Sequence, residues 1–134
     1  MVQITTSLLG FLAASSFAVA VPNTLEARAP SCHDPGAYLG YPDEAARCIN
    51  ELAALNSVCK TDFAGRMLRK CGKTVIWSVS RVPQGASTPC KNVAASAGLI
   101  MDACTRNDGV GDRVLGSAYV IGNGDFWIQI RGDP

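Results

Sequence analysis

The sequence predicts a small α+β fold: a two-layer sandwich in which two helices pack on one face of an antiparallel sheet and three disulfides tie the chain together. Three observations point to it. Two segments carry apolar residues at helical spacing, other segments are β-branched or alternating, and six cysteines follow an apolar leader. Each helix so read has one apolar stripe and each strand one apolar face, and laying stripes on faces buries both with the fewest layers.

The leader comes first. The opening 20 residues hold no charge and 13 residues of the apolar class. The run from Leu8 to Ala20 is too short to span a bilayer and ends in Ala18-Val19-Ala20, a small-x-small pattern suited to signal peptidase. No Lys or Arg precedes the run, so the terminal amine alone supplies positive charge there. Residues 1–20 are therefore expected to be a signal peptide and residues 21–28, ending in Leu25-Glu26-Ala27-Arg28, a pro-segment. Residues 29–134 are expected to form one disulfide-stabilised domain, secreted and extracellular.

From Tyr41 to Asn56 the pattern is helical. Pro42 and Asp43 supply a start signal, Glu44 suits the first turn, and Ala45, Cys48, Ile49, Leu52 and Leu55 recur at three and four. Glycines punctuate Lys60 to Lys73, where Gly65-Arg66-Met67-Leu68 can begin a strand. Lys73 to Arg81 reads as a strand because Thr74, Val75, Ile76, Trp77 and Val79 are β-branched or aromatic. Val82 to Ser87 reads as a loop. Thr88 is placed as N-cap with Pro89 at the first position of a second helix, whose stripe is Val93, Ala97, Ile100, Met101 and Cys104 and whose end falls near Asn107 to Gly109. The tail reads as a hairpin of Val114–Ile121 and Phe126–Arg131 around Gly122-Asn123-Gly124-Asp125, with Asn123-Gly124 as the tight turn.

Cys32, Cys48, Cys59, Cys71, Cys90 and Cys104 form an even set behind a signal peptide, which implies three disulfides. Zinc is disfavoured, because there is no C-x-x-C pair and a single histidine. Cys90 and Cys104 lie on one expected helix, about 21 Å apart at 1.5 Å per residue, whereas a disulfide needs Cα atoms within roughly 7 Å. Cys48 and Cys59, separated by the first helix and its end, are also unsuitable partners. The two exclusions leave ten of fifteen connectivities open.

Removing residues 1–28 takes away one acid and one base and leaves a net charge of +1, so no global field steers the chain to nucleic acid or anionic lipid. No apolar run in the remainder approaches the length of a transmembrane helix. Few residues offer catalytic chemistry. His33, the single histidine, lies beside Asp34 near the mature terminus, and no G-x-S-x-G elbow accompanies it. Glu44 and Glu51, the only glutamates of the mature chain, are assigned to a solvated helix face rather than to paired acid-base work. Asp108, Asp112, Asp125 and Asp133 lack the spacing of a calcium loop and are assigned to turns. No catalytic residue, metal site or cofactor is expected. Trp77 and Trp127 are able to stack on a sugar but are assigned to the core. The candidate binding surface is the basic cluster Lys60, Arg66, Arg69, Lys70 and Lys73, which against Asp62 carries a local excess of +4.

The leader, the Leu-Glu-Ala-Arg site, the six cysteines, the helix bearing Cys48, Cys71-Gly72 entering a strand, Pro89-Cys90 opening the second helix and the closing Gly-Asn-Gly-Asp segment together resemble fungal small secreted cysteine-rich proteins. Within that group they are most similar to effectors with a killer-toxin-like α/β sandwich. The resemblance implies a non-enzymatic secreted protein that binds a host or competitor target through its surface. That target would be a protein, a polysaccharide or a membrane component. The alternatives are a membrane-active killer toxin, for which the apolar second helix would serve, and a small secreted hydrolase or nuclease.

Overall fold

In the computed structural model, which describes residues 29–32 and 37–134, Pro42 opens helix α1 (Pro42–Ala53), with Asp43 and Glu44 in the first turn where the helix dipole favours acids. The expected signal peptide, the pro-segment and His33 lie outside the described residues. Helix α1 buries Ala45, Cys48 and Leu52 and ends short of Asn56. Three strands follow: β1 (Val58–Thr61), β2 (Arg66–Cys71) and β3 (Thr74–Ser80). Strand β4 (Ala86–Pro89) leads into helix α2 (Cys90–Cys104), which buries Val93, Ala97 and Ile100. The chain closes with β5 (Thr105–Asn107), β6 (Asp112–Val114), β7 (Gly116–Val120) and β8 (Asn123–Gly132).

These elements make a small α+β domain. A four-stranded antiparallel sheet runs in the order β2-β3-β8-β7, and β1-β4 and β5-β6 form two separate antiparallel pairs. The helices touch each other, α1 also meets β2 and β3, and α2 meets β7 and β8. Register divides the side chains of the sheet. Ile76, Ser78 and Ser80 stand opposite Ile130, Ile128 and Phe126, and these apolar residues join the buried helix stripes in one core cluster with Ala118 and Val120. Val75, Trp77 and Val79, opposite Arg131, Gln129 and Trp127, occupy the alternate positions.

Three disulfides link Cys32 to Cys104, Cys48 to Cys71 and Cys59 to Cys90, and no described cysteine is free. The connectivity is one of the ten left open, and both excluded pairs are absent. Cys48–Cys71 joins α1 to β2, Cys59–Cys90 joins β1 to the start of α2, and Cys32–Cys104 brings the N-terminal segment to the end of α2.

Several local expectations change. The expected loop at 82–87 gives way at Ala86, because Ala86 to Pro89 pair with Thr61 to Val58. Thr88 is not an N-cap: it is buried in β4 opposite Cys59, and the helix starts after Pro89 with no side-chain cap. Tertiary pairing outweighs the capping signal there. Helix α2 stops at Cys104, earlier than expected, where Thr105 turns extended to pair with Val114 and its Oγ1 donates to the Met101 carbonyl at 2.7 Å. The expected strand from Val114 to Ile121 divides at buried Leu115 into β6 and β7.

The hairpin turn also moves. Val120 pairs with Asn123, so Ile121 and Gly122 make the turn, and it is Gly122 that has a positive φ of 84°. Gly124 is not among the positive-φ glycines. Asn123 instead braces the segment: its Oδ1 accepts the Asp125 N–H at 3.0 Å, and its Nδ2 donates to the Ser87 carbonyl at 2.9 Å. The long-range bond ties Asn123 to Ser87 of β4, and Asn123 is a paired strand residue rather than a turn residue.

Candidate functional site

The five basic residues do not converge. Lys60 lies on β1 opposite Ser87 and lines a groove of about 260 Å³ with Thr61, Gln84, Gly85, Ala86 and Ser87. Arg66 contacts Asp62 at 3.6 Å, Arg69 Nε donates to Glu51 Oε1 at 2.8 Å, and Lys70 lies 2.6 Å from Asp133. Arg69 stands opposite Ile76 and Lys70 opposite Val75, so the pleat sends these neighbours to different faces of the sheet. Lys73, at the β2–β3 turn, is exposed. Among the described residues Lys60 and Lys73 form no ion pair, whereas the other three are matched by carboxylates.

The two glutamates are not solvated bystanders. Glu51 holds Arg69, and Glu44 Oε1 accepts the Lys73 N–H at 3.0 Å and the Thr74 hydroxyl at 2.8 Å. Thr74 Oγ1 in turn accepts the Tyr41 N–H at 2.8 Å. Both carboxylates therefore fasten α1 to the sheet. Of the acidic residues near the C-terminus, Asp108 accepts from the N–H groups of Val110 and Gly111, a loop-closing role, and Asp133 pairs with Lys70. No group of three or more potential metal ligands occurs among the described residues.

A different surface brings aromatic and basic side chains together. Trp77 and Trp127 are half-buried and do not belong to the core cluster, contrary to the expectation that they fill it. They sit on adjacent strands at the alternate positions of the sheet, Trp77 opposite Gln129 and Trp127 opposite Val79, with Tyr119 opposite Trp127. Cross-strand neighbours of this size meet diagonally as well as directly. Two arginines complete the face. Arg131 Cζ lies 4.9 Å from the centroid of Trp77, and Arg81 Cζ lies 5.4 Å from that of Tyr119, both within cation–π range.

The border of this face is shaped by the β1–β2 turn. Gly65, at φ 101°, comes so close to the indole that a Cβ there would lie 2.6 Å from Trp77 Cζ2. Glycine thus lets the turn pass against the ring. Phe63, 57% exposed, lies in the same turn, and Met67, 43% exposed, pairs with Trp77. Gln129 is buried between the strands, and its Oε1 lies 3.4 Å from Arg131 Nη1.

Charge on this face is distributed unevenly. Lys70 is neutralised by Asp133, but neither Arg81 nor Arg131 pairs with a carboxylate among the described residues. Arg131 Nε is moreover buried without a hydrogen-bond partner among the described residues. An unsatisfied buried donor costs about 1–3 kcal/mol. The guanidinium is thus held by the ring beneath it rather than by a complete internal network. In the sequence the strand assignment of both tryptophans was visible, but not the face they occupy, which depends on pairing with residues far along the chain.

No curated protein and no solved structure matches the chain. A family model described as a domain of unknown function, DUF8794, matches residues 27–132, and the chain belongs to that family.

Proposed function

We propose that this chain is a secreted, effector-like protein that acts by binding, and that the face bearing Trp77, Trp127, Tyr119, Arg81 and Arg131 is its binding surface. The observation that carries the reading is the cation–π arrangement: two arginines with no carboxylate partner among the described residues lie over aromatic rings on a four-stranded sheet. Tryptophan, tyrosine and arginine are enriched among the residues that carry most of the binding energy at protein interfaces. Three disulfides support a rigid platform, and rigid elements lose less entropy on binding than loops do. They also favour the oxidising secretory route, in agreement with the signal-peptide reading of residues 1–20. The killer-toxin-like sandwich, with both helices on one side of the sheet, is the architecture that leaves such a face available.

The test compares the disulfide-intact protein with the double variant Trp127→Ala/Arg81→Gln, each immobilised and exposed to host and competitor extracts, together with dye release from liposomes. The expected result is retention of extract components by the native protein, loss of that retention in the variant, and no dye release. Equal retention by the variant overturns the assignment of the face. Dye release would favour the membrane-active alternative.

A further inference from the structure

We propose that the aromatic face binds an acidic polysaccharide, with sugar rings lying on the tryptophans and sugar carboxylates taken by Arg81 and Arg131. The inference rests on the reading of this face as the binding surface and adds the chemistry of its occupant.

Sugar rings expose C–H-rich faces that pack on aromatic rings, and Trp combines the largest ring with a polar handle. Trp77 and Trp127 lie on adjacent strands at different register positions, so the face offers two places to stack along a line crossing the strands. A neutral glycan would need no more than these. The arginines add a charge requirement. Of the three cations here, Lys70 is neutralised by Asp133, and the two that remain both lie over rings. A guanidinium is planar and forked, stacks on an aromatic ring, and matches a carboxylate with two parallel hydrogen bonds. Arg131 Nη1 donates to Gln129 Oε1 at 3.4 Å, while its Nε has no hydrogen-bond partner among the described residues, so the guanidinium is short of internal acceptors.

Single-stranded nucleic acid also uses stacking and arginine, but it requires a basic groove that tracks one phosphate per nucleotide. Here Asp133 and the exposed Asp125, whose carbonyl accepts the Arg81 N–H, interrupt any basic track. The disulfides favour a compartment outside the cytosol, where charged polysaccharides are abundant.

Calorimetry on the disulfide-intact protein tests the proposal with four probes: polygalacturonate, its methyl-esterified form, a neutral β-glucan and oligothymidylate. Binding to polygalacturonate is expected, at least tenfold weaker after esterification and weaker at high salt. Arg81→Gln and Arg131→Gln should each weaken it about tenfold, and Trp127→Ala should remove it together with the accompanying change in tryptophan fluorescence. Arg81 is exposed, so its variant keeps the test valid should Arg131→Gln fail to fold. Equal affinity for esterified and free polymer overturns the acidic assignment while leaving the face as the binding surface. Binding to oligothymidylate alone overturns it in favour of nucleic acid. Acidic-polymer binding that survives Trp127→Ala but is lost in Lys60→Ser/Lys73→Ser places the site elsewhere and overturns both readings. If no probe binds while capture from extracts still depends on Trp127, the polysaccharide proposal falls and the binding-face reading remains.

Discussion

Ser96, fully buried on α2, accepts the backbone N–H of Ile121 through Oγ at 2.9 Å and so fastens the helix to the β7–β8 turn. The hydroxyl lies on the buried side of the helix with Val93, Ala97 and Ile100. Its value lies in satisfying a turn amide that the sheet ladder leaves unpaired. Ser96→Ala should destabilise the fold by about 0.5–1.5 kcal/mol, the net worth of an ordinary hydrogen bond, because Ile121 is only half-buried. Urea unfolding checks this, and an unchanged midpoint would show that the Ile121 amide finds another acceptor.

Gly122 carries the positive φ of the same turn. A Cβ at Gly122 would lie 3.7 Å from Asn92 Nδ2, an ordinary contact, so the cost of substitution comes from backbone conformation rather than crowding. Gly122→Val should therefore cost at least about 1 kcal/mol, with Gly122→Asn tolerated better because Asn enters the left-handed region more readily. Gly124→Val should cost less than Gly122→Val. Thermal midpoints of the three variants, measured together, give the order directly.

Glu44 reaches from α1 to both the amide of Lys73 and the hydroxyl of buried Thr74. Glu44→Ala leaves the Thr74 hydroxyl without this acceptor and should lower stability by about 1–3 kcal/mol. Glu44→Gln keeps an acceptor oxygen and should recover part of the loss. Comparable denaturant midpoints for the Ala and Gln variants would refute the hydrogen-bond explanation.

The three disulfides differ in the length of chain they close. Cys32–Cys104 spans 72 residues and Cys48–Cys71 spans 23. On the chain-entropy relation the first contributes about 4 kcal/mol and the second about 3. Paired Cys→Ala replacement should thus destabilise more at Cys32 and Cys104, by calorimetry under non-reducing conditions. Peptide mapping without reductant should recover the three links independently.

Asp108 supplies a pH dependence. The N–H groups of Val110 and Gly111, at 2.9 and 3.0 Å, hold its carboxyl below the ordinary value of 3.8, with Arg113 adding to the effect. The folded loop favours the ionised form, so its stabilisation is complete above the ordinary value and is lost as pH falls through the lower folded one. The protection of the Val110 and Gly111 amides, taken relative to intrinsic exchange at each pH, should fall only under that acidic condition, and Asp108→Asn should blunt the dependence.

What the sequence determined by itself was local. Pro42 with its acidic first turn announced α1, β-branched Thr74 to Val79 announced β3, and the length of a helix forbade Cys90 from bonding to Cys104. Periodicity and rise per residue suffice for such statements, because they concern residues close along the chain. The tertiary structure decided whatever required distant segments to meet. It selected one disulfide pattern from ten, drew Thr88 out of a capping role into pairing with Cys59, and gave Glu44 and Glu51 partners on the sheet. It also separated Arg69 from Lys70 and gathered Trp77, Trp127, Tyr119, Arg81 and Arg131 on one face. Strand propensity tells a side chain to alternate, but the face it reaches depends on register, and register is set by the partner strand and by which face the helices cover.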